Sequence, residues 1–308
     1  MIPHSPSSSG TGVEAAESTI TKYSDTYNLP NGLNYGPTVG SPSLIQFLTE
    51  HVDIMHHPSY ADWSLSLTSG STAALEIAFR IFSNKGDTVL AERFTYPGAI
   101  EGATLVGLRF EGLELDGEGL RPEALRRVLR EWDSSQGPTP RVLYTVPTGH
   151  NPTGASQSTE RRRAIYDIAE EHDLIIIEDD PYYFLRMGAY QPGQERPAQT
   201  SDLSSYLSLD RSGRAVRLDS VSKILAPALR ADWVTANPRI AEKLIAYQEI
   251  RTVEINGLSQ LTLWSLLEQT WGHQGFASWL EHISSAYRTR RDALLHACDQ
   301  YLPRDICT

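Results

Sequence analysis

The run LIII at residues 174–177 is continuously apolar and bounded by charge on both sides. A strand with one buried face alternates apolar with polar residues, so four branched side chains in a row require cover on both faces. Similar runs recur in SLSLTSG (64–70), DTVLAE (87–92), RVLYTVP (141–147), AVRLDSV (215–221) and DWVTAN (232–237). Segments of helical spacing lie between them. SPSLIQFLTEHV (41–52) puts Leu44, Phe47, Leu48 and Val52 on one face; STAALEIAFRIF (71–82), RPEALRRVLREW (121–132, with Pro122 near N1) and STERRRAIYDIAEEHD (158–173) follow. The alternation predicts an α/β fold: a mainly parallel sheet flanked by helices. After Pro238 the pattern is wholly helical, ending in a long segment from about Phe276 to Tyr301.

At 308 residues the chain can build one large core, or a large domain with part of a second. A formal charge of −11 argues against a general nucleic-acid or anionic-membrane binder, since both need surplus Lys and Arg. The only cysteines, Cys298 and Cys307, make no disulfide framework and fit a reducing compartment. No run reaches the roughly 20 apolar residues of a membrane span, and MIPHSPSSSGTG lacks the basic and apolar regions of a secretory signal. A cytoplasmic location is expected.

Ligands of open α/β sheets sit beyond the carboxyl ends of the strands, and polar clusters follow several of those ends. TSGST (68–72) joins a strand to a helix N-terminus, where free amides favour an anion, although Ser and Thr also cap most helices. TGHNPTG (148–154) is built of turn formers. EDDPYY (178–183) sets carboxylates on the sheet rim. DSVSKILAPALR (219–230) brings Ser220, Ser222, Lys223 and Arg230 together. His56 and His57 have no third ligand at metal-like spacing and read as a surface turn; His150 reads as a loop residue. No metal site is expected.

In chain order these clusters give S-G-S-T, then Tyr96, N-P-T-G, D-P-Y-Y and S-V-S-K, with Arg230 seven residues after Lys223. Over roughly residues 33–300 the chain resembles the class I/II aminotransferases of fold type I, which use pyridoxal 5′-phosphate (PLP). LYTVPTGHNPTG, IIIEDDPYYFL and SVSKILAPALR are most similar to fungal aromatic and 2-aminoadipate aminotransferases and to mammalian kynurenine/aminoadipate enzymes.

That resemblance implies specific roles. Lys223 matches the lysine that forms a Schiff base with the cofactor aldehyde, and a desolvated lysine near cations suits that task. Ser71, Thr72, Ser220, Ser222 and Arg230 match the phosphate ligands, and Tyr35 matches a residue that reaches the phosphate from a second subunit, implying a homodimer. Asp180 matches the acid paired with the pyridine nitrogen; Tyr183 and Asn151 match the groups on the ring's phenolic oxygen. The D-x-x-Y spacing selects Asp180 with Tyr183 and leaves Asp179 and Tyr182 structural. Tyr96 matches the stacking aromatic. The implied reaction is ping-pong transamination between an aromatic or aminoadipate-like L-amino acid and a 2-oxo acid.

The resemblance also implies domain limits: a mostly disordered segment at 1–32, a cofactor-binding large domain at 33–275, and a bridging helix with the start of a truncated small domain at 276–308. The family's Gly-Leu-Pro arm has no counterpart in residues 1–32. None of Arg288, Arg290, Arg291 or Arg304 lies in the motif of the arginine that grips the substrate carboxylate. RADW (230–233) stands where relatives usually have a glycine after the arginine, and Thr72-Ala73 replaces an amide pair. A cofactor-binding protein of impaired turnover, and a lyase or decarboxylase on this scaffold, are the alternatives.

Overall fold

A computed structural model describes residues 27–60, 62–188, 190 and 203–302. In chain order the elements are α1 (Leu29–Gly32), α2 (Pro42–His56), β1 (Ser64–Thr68), α3 (Ser71–Phe82), β2 (Thr88–Glu92), α4 (Pro97–Leu105) and β3 (Arg109–Leu113). Next come a short ribbon of β4 (Leu115–Asp116) and β5 (Gly119–Leu120), then α5 (Pro122–Arg130), β6 (Val142–Thr145), α6 (Thr159–Glu171) and β7 (Ile175–Asp179). The chain continues through α7 (Tyr206–Leu209), β8 (Ala215–Asp219), β9 (Asp232–Ala236), α8 (Pro238–Arg251) and α9 (Gly257–Trp264). A π-helical stretch, Ser265–Trp271, leads into α10 (Gly272–Tyr301).

Seven strands form one sheet in the order β1-β9-β8-β7-β6-β2-β3. Four neighbouring pairs are parallel, and β9 alone reverses, pairing antiparallel with both β1 and β8. The sheet is mainly parallel, as expected, with β9 the antiparallel exception toward one side. β3 escapes sequence reading because its residues RFEGL are mostly exposed or half-buried, as suits an edge.

Period-two alternation sorts the strand residues onto two covered faces. Val89, Ala91, Val142, Tyr144, Ile177, Val216 and Leu218 pack with α3, α4 and Leu244 of α8. Leu90, Leu143, Ile176 and Ala215 pack with α5, α6 and Tyr206 of α7. Toward β1, a third cluster joins Leu67 and Trp233 to Phe47 of α2, Leu261 of α9 and Phe276 of α10.

Within the segment expected to be mostly disordered, of which residues 1–26 lie outside the described residues, Leu29–Gly32 is a helical turn whose backbone packs closely on Gly257. One local reading needs correction. His56 is not in a surface turn: it is buried at the end of α2, its ring 4.7 Å from that of Tyr183, while His57 caps the helix in the left-handed conformation. The apolar stripe of α2 carries His56 inward with Val52. No helix among the described residues is long and apolar enough to cross a membrane.

Candidate active site

The sheet is buried on both faces, so polar side chains become accessible only where strands end. Such a place lies beyond β1, β6, β7 and β8, where a cavity of about 220 Å³ is lined by Ser71, Thr72, Tyr96, Asn151, Asp179, Tyr182, Ser220, Ser222, Lys223, Arg230 and Asp232, together with apolar neighbours. Residues separated by more than 150 positions thus meet in one cleft.

Glycines shape it at two points. Gly70 precedes α3 with φ +94°, and a Cβ there would fall 1.4 Å from Nη2 of Arg230, so only glycine lets the guanidinium lie across the helix start. A Cβ at Gly98 would meet the Tyr96 ring at 2.5 Å; without one, the ring lies back over the first turn of α4. Arg230 makes only long hydrogen bonds, each 3.4 Å, to Ser222 Oγ and the carbonyls of Pro227 and Ser69.

Asp180 and Tyr183 do not reach this cavity, whereas Asp179 and Tyr182 line it. Both pairs satisfy D-x-x-Y, and strand parity decides between them. Asp179 follows Ile177 on the α3 face, while Asp180 follows Ile176 and Glu178 on the α6 face. A one-residue slip exchanges the faces.

Asp180 is buried, accepts from Thr148 Oγ1 at 2.8 Å, and lies 3.6 Å from Arg162 and 3.8 Å from Arg217. Arg217 also holds Asp219 at 2.8 Å and Glu178 at 3.0 Å. Tyr183 donates to the Leu203 carbonyl at 2.7 Å, with Arg217 4.7 Å from its ring centroid. These two residues belong to a buried ionic network that supports the cleft from behind.

Burial pushes Asp179 up to about 6; the hydroxyl of Tyr144, donating at 2.8 Å, opposes that rise. Burial also raises Tyr182, and a hydrogen bond with Asn151 acts in the opposite direction. Lys223 is exposed, not desolvated, and it lines both this cavity and an adjoining one of about 1090 Å³. The larger cavity is walled by Tyr182, Leu185, Met187, Tyr287 and Leu295, with Arg186 and Arg291 also on its lining. Tyr35 is 87% exposed and lies outside the cleft of its own chain.

Sequence reasoning gave Asp179 and Tyr182 a structural part only, met Asp232 only within the departure RADW, and did not single out Tyr144. Parity along LIIIEDD could have recovered the first pair. The contacts of Tyr144 and Asp232 become visible only when strands distant in sequence are laid side by side. His150 lies in the loop after β6, as expected, and is buried there, hydrogen-bonded to Thr153, with Nε2 3.9 Å from Glu92.

A lysine, a carboxylate, an amide and a phenol that line one cavity with a guanidinium and serines suit an aldehyde cofactor that bears an anion. The chain belongs to the class I and II aminotransferases, whose family model matches residues 11–305. It is 47% identical over 294 residues to aminotransferase swnA of Metarhizium robertsii, an overlap of 95% of this chain and 58% of the relative. Against an aromatic amino acid aminotransferase of Schizosaccharomyces pombe the identity is 40%, over 91% and 61%. The crystal structure of aminotransferase Aro8 from Candida albicans superposes with a TM-score of 0.86 at 38% identity, covering 91% of this chain and 60% of that one. The chain thus spans about three fifths of the length of these relatives.

PLP is the cofactor of this family. The residues lining the cleft fit it on chemical grounds: Asp179 would serve as an acid for the ring nitrogen, Asn151 and Tyr182 as donors for the phenolic oxygen, and Arg230 beside Gly70, with the neighbouring hydroxyls, would face a phosphate.

Proposed function

We propose that the chain carries the cofactor half of an aminotransferase for aromatic or aminoadipate-like L-amino acids, with Lys223 as the residue that takes up PLP. The observation that carries this reading is the shared cavity of Lys223, Asp179, Asn151, Tyr182 and Tyr96. When bound, the cofactor supplies an electron sink that acidifies the Cα–H of an attached amino acid.

The protein's own contributions follow from chemistry and position. Asp179 holds a proton at the ring nitrogen, a task suited to a buried carboxylate steadied by Tyr144. Tyr182 and Asn151 orient the phenolic side, and Tyr96 covers one ring face. Arg230, Ser71, Thr72, Ser220 and Ser222 hold the phosphate end. Lys223, at the mouth of both cavities, is placed to accept the proton at Cα and return it on the cofactor side. The larger cavity, with its aromatic and aliphatic wall, supports a substrate with an apolar side chain.

A homodimer belongs to this reading. Tyr35 and Ile250, 87% and 89% exposed, and the exposed Leu33, Tyr247 and Val253 lie on two segments joined by the Gly36 N–H donating to Glu254 at 2.6 Å. A second copy on these segments would bring Tyr35 to the phosphate end of its neighbour.

The test is incubation of PLP-loaded protein with an aromatic L-amino acid and a 2-oxo acid. Steady formation of the aromatic oxo acid is expected. Cofactor uptake without any product would replace the enzyme reading with that of a binding protein, and loss of CO₂ or of the side chain would replace transamination with a decarboxylase or lyase.

A further inference from the structure

Asp232, which opens β9, is 1% exposed. Because β9 runs against both neighbours, its first residue reaches the edge where β1 and β8 end; Thr68 is its register partner. Oδ2 of Asp232 accepts from the Ser71 backbone N–H at 2.7 Å, from Ser71 Oγ at 3.0 Å and from Ser220 Oγ at 2.9 Å. Oδ1 accepts from the Val221 N–H at 3.0 Å. Ser71 is the first residue of α3, so the carboxylate sits where amides and helix dipole attract an anion.

The donors that Asp232 engages include three that a cofactor phosphate would use: both serine hydroxyls and the amide at the head of α3. A phosphate ester brings about −1.5 to −2 charge, and like charges held together in an interface cost several kcal/mol. Among the described residues, Arg230 is the cation that contacts Ser222 and the Ser69 carbonyl at this end of the cleft, and it is loosely held.

We propose that Asp232 is a specificity-determining residue, an internal competitor for the phosphate site. It makes this chain discriminate between PLP and the phosphate-free aldehyde, pyridoxal, far less than the cup's other residues alone would. The inference rests on the cavity being the cofactor site, and pyridoxal reads the ring end of that site separately.

The experiment titrates wild type, Asp232→Asn and Asp232→Ala with PLP and with pyridoxal, following intrinsic tryptophan fluorescence, and repeats the PLP series with inorganic phosphate as competitor. The expected result is that wild type favours PLP over pyridoxal by less than about 10-fold, while both variants bind PLP about 10²-fold more tightly. Pyridoxal binding stays unchanged, and inorganic phosphate competes in the variants alone. A wild-type preference above about 10³-fold overturns the proposal without any variant, as does unchanged or weaker PLP binding in Asp232→Asn. Uptake of neither aldehyde by any protein would remove the cofactor site itself.

Discussion

The hydroxyl of Tyr144 on β6 donates to Oδ2 of Asp179 on β7 at 2.8 Å, both side chains buried on the α3 face of the sheet. That bond is the main influence holding Asp179 down against burial, which lifts it to about 6. Tyr144→Phe deletes the donor and leaves the ring volume, so Asp179 ionises at higher pH. The acid limb of the kcat/KM profile is expected to move upward, and an unmoved limb would separate Asp179 from the chemistry.

Asp179→Asn and Asp180→Asn, one residue apart, should behave oppositely. At 179 the loss falls on turnover, by about 10²-fold or more, because the charge facing the ring disappears. At 180 it falls on stability, since Thr148 loses a buried carboxylate acceptor and Arg162 a neighbouring acid, while Arg217 keeps Glu178 and Asp219. Weakening such a buried contact costs about 1–3 kcal/mol, read by urea denaturation. Equal turnover losses with unchanged stability would reject the parity assignment.

Glu92 gives a pH test away from the cleft. Burial raises its carboxyl from 4.5 to about 7, and His150, lowered to about 4 by burial, offers no countercharge. A group raised on folding stabilises fully below its unfolded value, and that contribution is lost as pH climbs through the folded one. Glu92→Gln should therefore gain on wild type in urea midpoint between pH 5 and pH 8. A constant gap would show that Glu92 does not titrate there.

The exposed Tyr35 and Ile250 predict self-association. Ile250→Asp should halve the mass seen by light scattering and weaken PLP binding by removing Tyr35 from the neighbouring site. A wild type that is monomeric at all concentrations contradicts the dimer.

Much of this was legible from residue order. LIII announced a strand covered on both faces, and the residues singled out in SVSK and Arg230 do line one cavity with Ser71 and Thr72. The choice of Asp180 over Asp179 rested on a motif spacing that fits both; what separates them is the face that Ile177 shares. Asp232 was visible only as part of the departure RADW; its contacts were not, since its partners Ser71 and Ser220 come to it through the reversal of β9, a pairing that no local pattern encodes. The edge strand β3 was hidden for the opposite reason: its exposed side chains carry no apolar signal.

The central claim is the identity of the lysine. The chain has four: Lys22, Lys85, Lys223 and Lys243. Saturating the protein with PLP, reducing with borohydride and mapping the peptides should place the added mass on Lys223 alone, and should place none anywhere in Lys223→Ala. Label on any other lysine, or undiminished label in that variant, would contradict the account.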